Sequence, residues 1–282
     1  MRTTVLAVVV GLFTFSTGSV AASPKSDKSK VVQKALRQSV RVEVMVAGRV
    51  ARAASGVVVA TEGHVSYVLT NQHVVQREGL NGTASFQVVV ERPRLHRVRA
   101  RVISEGRVPE EDLALLAVEG EVLPAAPIAS ESQVDVGDDV VVVGAPYGRS
   151  LSVSSGIVSQ LEHDDQEPRL QKGMKTDAPI GYGASGGGVF EVPSGKLVGI
   201  VEGYRTAKIA FGGISNDDFS FDVPMPGETF LAPPSKIRGF LSRSGIGRLA
   251  GIGPSVTAGG SRAEVAAGPL PRRSPPIRRK RL

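Results

Sequence analysis

The stretch "GYGASGGGVF", residues 181–190, sets one serine, Ser185, among five glycines. Read literally, Gly183 to Gly187 spells G-x-S-x-G, the nucleophile elbow that joins a strand to a helix in an α/β sheet. That reading requires the partner histidine to follow the serine in the chain. The four histidines, His64, His73, His96 and His163, all precede Ser185, and no helical pattern follows it directly. The elbow reading fails, and the α/β sheet goes with it. What is left is a glycine loop between strands, where glycine gives the backbone conformations closed to other residues and lets it come close to a ligand.

The surrounding sequence agrees. From residue 40 the chain runs through short β-branched segments: "VRVEVMVAG", "SGVVVAT", "HVSYVLTN", "SFQVVVE", "HRVRARVISE" and "LALLAVE". Glycine, asparagine and charged residues break them, and no helix alternates with them, so an antiparallel all-β body is expected. "EVLPAAPIASESQVDVG", from residue 121, reads as a connector. A second set follows: "DDVVVVGAP", "LSVSSGIVSQLE", "GMKTDAP", "GGVFEV" and "KLVGIVEGY". Two small β-barrels, about 41–120 and 130–232, close their own sheet edges and account for both sets. Ahead of them, "SKVVQKALRQSV" (29–40) has the apolar spacing of a short amphipathic helix, after a polar linker from residue 23. "PSKIRGFLSR" (234–243) reads as a closing helix opened by Pro234 or Ser235. The segment 205–228 is long for a hairpin loop and is expected to form its own ribbon over the cleft.

The ends differ from the middle. Arg2, an apolar run over residues 4–15 and the small residues Ser19-Val20-Ala21-Ala22 form a secretory signal pattern over 1–22. The run is shorter than the ~20 residues needed to span a bilayer, which disfavours the alternative of a membrane anchor. The formal charge of +7 is concentrated at the ends: residues 262–282 carry +6 and residues 1–30 carry +3, leaving −2 for those between. A nucleic-acid function for the body is therefore not implied. The glycine-, proline- and arginine-rich segment 244–282 is expected to be a disordered basic tail, with weak contact to polyanions or membrane surfaces as its alternative use. The absence of cysteine excludes disulfides, thiol catalysis and cysteine-based metal sites. No metal and no cofactor is read from the sequence, and nothing in it fixes the oligomeric state.

With every histidine upstream, two triad orders remain. Asp, His, Ser would use Asp112, His163 and Ser185, but His163 lies in the polar, turn-like "QLEHDDQEP" and the α/β setting of subtilisin is missing. His, Asp, Ser uses better-placed strings. "YVLTNQHVV" sets His73 just past an apolar strand, "EEDLALLAVEG" sets Asp112 at the head of another, and "TDAPIGYGASGGGVF" sets Ser185 on its glycine loop. Glu110 and Glu111, beside Asp112, read as solvated.

These strings resemble the trypsin-like serine proteases of the bacterial HtrA (Deg) group, which carry T-N-x-H-V-V, D-L-A-L-L and T-D-A…G-x-S-G-G motifs. Here they stand as "TNQHVV" (70–75), "DLALL" (112–116) and "TDAPIGYGASGG" (176–187), supported by "VVVVGAPYG" with "VSSGIVS" and by "FLAPPSKIRGFL". The resemblance covers about 40–243. It implies a chymotrypsin-like fold of two six-stranded antiparallel barrels, and an exported serine endopeptidase acting on protein or peptide substrates. It makes His73 the general base, Asp112 its orienting partner and Ser185 the nucleophile that forms an acyl-enzyme. The oxyanion hole would come from Gly183 and Ser185, with Ala184 between them. Two features depart from the group. The segment after the protease body has no room for a PDZ domain, and Gly-Tyr-Gly-Ala precedes the serine where Asn-Pro-Gly-Asn is common.

Trypsin-like enzymes that cleave after basic residues place an acid six positions before the serine. Pro179 stands there, so a small or aliphatic P1 residue is expected. The strand "VGIVEG" (198–203) is expected to pair with the substrate backbone through Val201, Glu202 and Gly203. Glu202 is a specificity candidate whose alternative is simple solvation. A protease-fold scaffold without catalysis is the alternative function.

Overall fold

The computed structural model describes residues 26–167, 170–192, 194–211 and 219–253. The expected signal segment, the first residues of the linker and most of the expected tail lie outside the described residues.

Helix α1 (Asp27–Gln38) starts two residues earlier than its apolar pattern because the Ser26 side chain accepts the Ser29 N–H and caps it. It ends at Gln38, since Val40, Val42 and Val44 alternate inward as strand residues of β1 (Ser39–Val46). The first barrel adds β2 (Arg49–Glu62), β3 (Val65–Thr70), β4 (Ala84–Val90), β5 (His96–Glu105) and β6 (Ala114–Glu119). They close in the order β1-β2-β3-β6-β5-β4. The second barrel consists of β7 (Asp139–Gly144), β8 (Ser152–His163), β9 (Gln171–Thr176), β10 (Gly188–Glu191), β11 (Leu197–Phe211) and β12 (Phe219–Ala232). It closes in the order β10-β11-β12-β9-β8-β7. Every ladder within the barrels is antiparallel. The two six-stranded barrels agree with the sequence reading.

Each barrel interior is filled by small aliphatics: Val40, Val58, Val88 and Leu116 in the first, and Val140, Val158, Val198 and Leu231 in the second. A third cluster joins Val57, Leu69 and Leu115 of one barrel to Val143, Phe190 and Ile200 of the other. It is roofed by Leu36 of α1 and by Ile237 and Leu241 of α3 (Pro234–Arg243). The barrels are therefore packed on a shared apolar face, and the loops at its edge are held in fixed relation. The connector lies along the first barrel, where the Thr61 hydroxyl donates to the Leu123 carbonyl and the Ser66 hydroxyl to that of Glu121.

One expectation needs correction, and one is met. The tail does not begin at residue 244. Ile246, Ala250 and Ile252 are buried in the inter-barrel cluster, so the folded body runs through them. The segment 205–228 forms a ribbon, because β11 and β12 stay paired from Ile200 with Ala232 out to Phe211 with Phe219. Among the described residues no helix is long and apolar enough to cross a membrane.

Candidate active site

Strand β3 ends at Thr70, and a single helical turn, α2 (Gln72–Val75), follows it. Val74 and Val75 are buried and pin this turn to the barrel, while Arg52 donates to the carbonyls of His73, Val74 and Gln76. His73 is thus fixed by its own backbone. Asp112 precedes β6, anchored by the buried Leu113 and by Asn71 Nδ2, which donates to the Asp112 carbonyl at 2.8 Å.

The two side chains meet. Asp112 Oδ2 lies 2.6 Å from His73 Nδ1, and Oδ1 accepts the His73 backbone N–H at 2.9 Å. Both carboxylate oxygens serve one residue, so ring and backbone are clamped together. An ionised carboxylate only accepts, which places the ring proton on Nδ1 and leaves Nε2 with a free lone pair.

Ser185 approaches from the second barrel on a loop held by its carbonyls. Tyr147 N–H donates to the Tyr182 carbonyl at 2.5 Å, Ala184 N–H to Gly181, Gly187 N–H to Ala184, and Ser55 N–H to Ser185. The Gly183 carbonyl accepts from the Ser55 hydroxyl at 2.7 Å. Across a trans peptide the N–H points opposite to the C=O. With the carbonyls of Tyr182 and Ala184 tied down, the following N–H groups of Gly183 and Ser185 point away from those ties. Among the described residues neither N–H has a hydrogen-bond partner. Ala184 N–H, by contrast, is spent on Gly181, so Ala184 drops out of the expected oxyanion trio. Gly183 has φ +88°, the left-handed region that glycine tolerates. A Cβ on Gly186 would collide with the Ser55 carbonyl and the Thr70 hydroxyl, which shows how closely the serine loop abuts the end of the histidine strand. Ser185 Oγ has no hydrogen-bond partner among the described residues, His73 included.

Of the expected substrate-binding residues, Val201 is taken. Its N–H donates to the Gly187 carbonyl and its carbonyl accepts from Gly186, so its backbone holds the Ser185 loop and is closed to other partners. Glu202 is the extra residue of a β-bulge, since Val201 pairs with Leu231 and Gly203 with Phe230. It is mostly buried, not solvated. Burial pushes its carboxyl up, Lys236 on α3, with Nζ 3.7 Å away, opposes this, and the Asp112 charge adds to the rise. Glu111 is likewise not a free surface acid, because it pairs with Arg243. Pro179 is exposed and walls a pocket of about 330 Å³ with Ala178, Ile180, Tyr204, Met225 and Pro226. Asp177 also borders it, with Oδ1 accepting the Ile157 N–H at 2.7 Å.

Three of the four tyrosines gather here. Tyr182 packs edge-on against Tyr204 at 5.6 Å between ring centres and leans on Tyr147 at 6.4 Å. Burial, with Tyr182 beside it, holds the Tyr204 phenol well above its usual range. Among the described residues no group of three or more His, Asp or Glu is placed to hold a metal ion.

A family model for the trypsin-like peptidase domain matches residues 54–200, just over half of the chain. The chain belongs to the trypsin-like peptidases. Among relatives of this family, a probable periplasmic serine endoprotease, DegP-like, from Ectopseudomonas mendocina is 32% identical over 197 residues, 68% of this chain and 37% of the relative. Its counterpart in Hahella chejuensis is 31% identical over 199 residues, 69% of this chain and 38% of the relative. The chain thus spans well under half the length of these curated relatives. The serine endoprotease from Yersinia pestis has a TM-score of 0.58 at 23% identity, covering 79% of this chain and 68% of that one. An HtrA-type protease solved with a tripeptide also scores 0.58 at 23% identity, with 79% and 64% covered. At that identity the structures speak for the trypsin-like fold alone.

The sequence reading missed Ser55, Tyr147, Tyr204 and Lys236. Ser55 carries only a faint signal, a serine beside Gly56 in the apolar middle of β2. The others contact the site only through tertiary packing.

Proposed function

We propose that the protein is an exported serine endopeptidase. The observation that carries this reading is the pair of hydrogen bonds that Asp112 accepts from His73, which fixes the tautomer a general base needs. His73 Nε2 takes the Ser185 proton as Oγ attacks the scissile carbonyl. The resulting imidazolium is stabilised by Asp112 and then protonates the leaving amine. The free N–H groups of Gly183 and Ser185 receive the oxyanion. The acyl-enzyme is hydrolysed by water activated at the same Nε2. The missing hydrogen bond between Ser185 and His73 fits a resting site, since catalytic hydrogen bonds often tighten only when substrate binds.

The pocket beside Pro179 supports a small or aliphatic P1 residue. Its walls include Ala178, Ile180, Met225 and Pro226, and the carboxylate at its border is occupied by a backbone N–H. Strand β10 covers β11 only as far as Ile200, so the edge at Glu202 and Gly203 is the place for a substrate strand to pair. Export is supported by the N-terminal signal pattern and by relatives named as periplasmic.

The test is covalent labelling of the full chain with a fluorophosphonate probe. The wild-type protein is expected to label and Ser185→Ala to stay blank. A folded wild-type protein that does not label would leave a protease-fold scaffold as the function.

A further inference from the structure

Ser55 lies in β2 of the first barrel, yet its polar groups serve the nucleophile loop of the second. Its hydroxyl donates to the Gly183 carbonyl at 2.7 Å and accepts the Ala145 N–H at 2.8 Å. Its N–H donates to the Ser185 carbonyl at 2.9 Å, and its own carbonyl accepts the Thr70 hydroxyl at 2.8 Å. The residue is 1% exposed, so its own polar atoms are shielded from water. Thr70 stands three residues before His73. Through its hydroxyl and its backbone, one residue therefore ties the serine loop, the turn after β7 and the end of the histidine strand together.

Gly183 is the residue that most needs such a tie. It has no Cβ and sits at φ +88°, where its two flanking peptide planes turn easily. Tyr147 holds the plane before it, through the Tyr182 carbonyl. Ser55 holds the plane after it, through the Gly183 carbonyl. The Gly183 N–H belongs to the first plane; the second, held by Ser55 and by the Ala184 N–H on the Gly181 carbonyl, sets it through the Gly183 backbone, so losing the Ser55 bond loosens its alignment with the Ser185 N–H. We propose that Ser55 is a positioning residue of the oxyanion hole, supplied across the barrel interface, which sets the aim of the Gly183 N–H without touching substrate. This rests on the serine-peptidase reading above.

The test compares the wild-type chain with Ser55→Ala and Ser55→Cys. The readouts are kcat and KM on a peptide ester, the inhibition constant of the matching peptide aldehyde, and the affinity of uncleaved peptide measured on a Ser185→Ala background. The aldehyde forms a tetrahedral adduct whose oxygen sits where the oxyanion would. Deleting a donor outright costs about 10²–10³ in kcat, so a misaimed donor is expected to cost about tenfold or more. In Ser55→Ala, kcat and aldehyde affinity are expected to fall in parallel while KM and uncleaved-peptide affinity stay within about twofold, the pattern of a contact made only in the transition state. Ser55→Cys, close in size with a weak S–H donor, should fall between, and it carries the test if the alanine variant does not fold. Unchanged kcat in the variants overturns the proposal. So does a fall in kcat with undiminished aldehyde affinity, which would mark damage elsewhere in the site. A wild-type chain that turns over no peptide sinks the peptidase reading as well, whereas an active wild type indifferent to Ser55 sinks this inference alone.

Discussion

At the scale of single residues, the site is built on one assignment of a proton. Asp112 accepts from both Nδ1 and the backbone of His73, which needs two oxygens. Asparagine offers one oxygen and one NH₂. In Asp112→Asn the backbone N–H keeps the oxygen, and the amide nitrogen then faces Nδ1 as a donor. That drives the ring proton to Nε2 and disables the base with little change in shape. The acylation rate is expected to fall by about 10⁴, the loss seen when a triad aspartate is replaced this way. Stopped-flow labelling of the wild-type and Asp112→Asn chains measures it. A loss of tenfold or less would mean that Asp112 does not set the tautomer.

At the scale of strands and loops, electrostatics shape how the first barrel responds to pH. His96 opens β5, with Nδ1 against the Arg94 carbonyl and Nε2 2.7 Å from Glu121, just after β6. Both ring nitrogens face acceptors. The Arg94 carbonyl, then Glu121, raise the His96 pKa above its ordinary value. A raised folded-state value means stability that is fully present below the unfolded pKa near 6.5 and lost as pH rises through the higher folded value. Glu121→Gln removes the charge, so its cost should appear at acid pH and vanish at alkaline pH. With the two side chains 40% and 28% exposed, solvent screening keeps that cost well under 1 kcal/mol. Urea titrations of both proteins at acid and alkaline pH test this; a difference independent of pH would refute the assignment. The strands themselves were legible, because valine alternation and glycine breaks are local signals. The bulge at Glu202 was not. Nothing in "VGIVEG" marks which residue is doubled, since the register is set by pairing with Leu231 and Phe230, far along the chain. The sequence therefore misassigned Val201 to substrate, when its backbone is spent on Gly186 and Gly187.

At the scale of the whole molecule, the site exists because two barrels meet. The strings around His73, Asp112 and Ser185 could be read one at a time, since each carries its residue at a strand end or on a glycine loop. The contacts that join them, from Ser55 across to Gly183 and from Lys236 to Glu202, have no local signature. The same holds for the end of the folded body. By composition, glycine and serine after residue 243 suggest a tail, yet Ile246 and Ile252 are 6% and 7% exposed in the cluster that binds the barrels and α3 together. Burying such a side chain stabilises by about 1.5–3 kcal/mol, so a chain ending at Arg243 should lose about 3 kcal/mol or more relative to one ending at Gly253. Because that cluster spans the barrel interface, the shorter chain should also lose labelling at Ser185 at temperatures where the longer one keeps it. Matched thermal melts and labelling of the two truncations decide the point. Equal melting and equal labelling would show that residues 244–253 are not part of what holds the barrels in register.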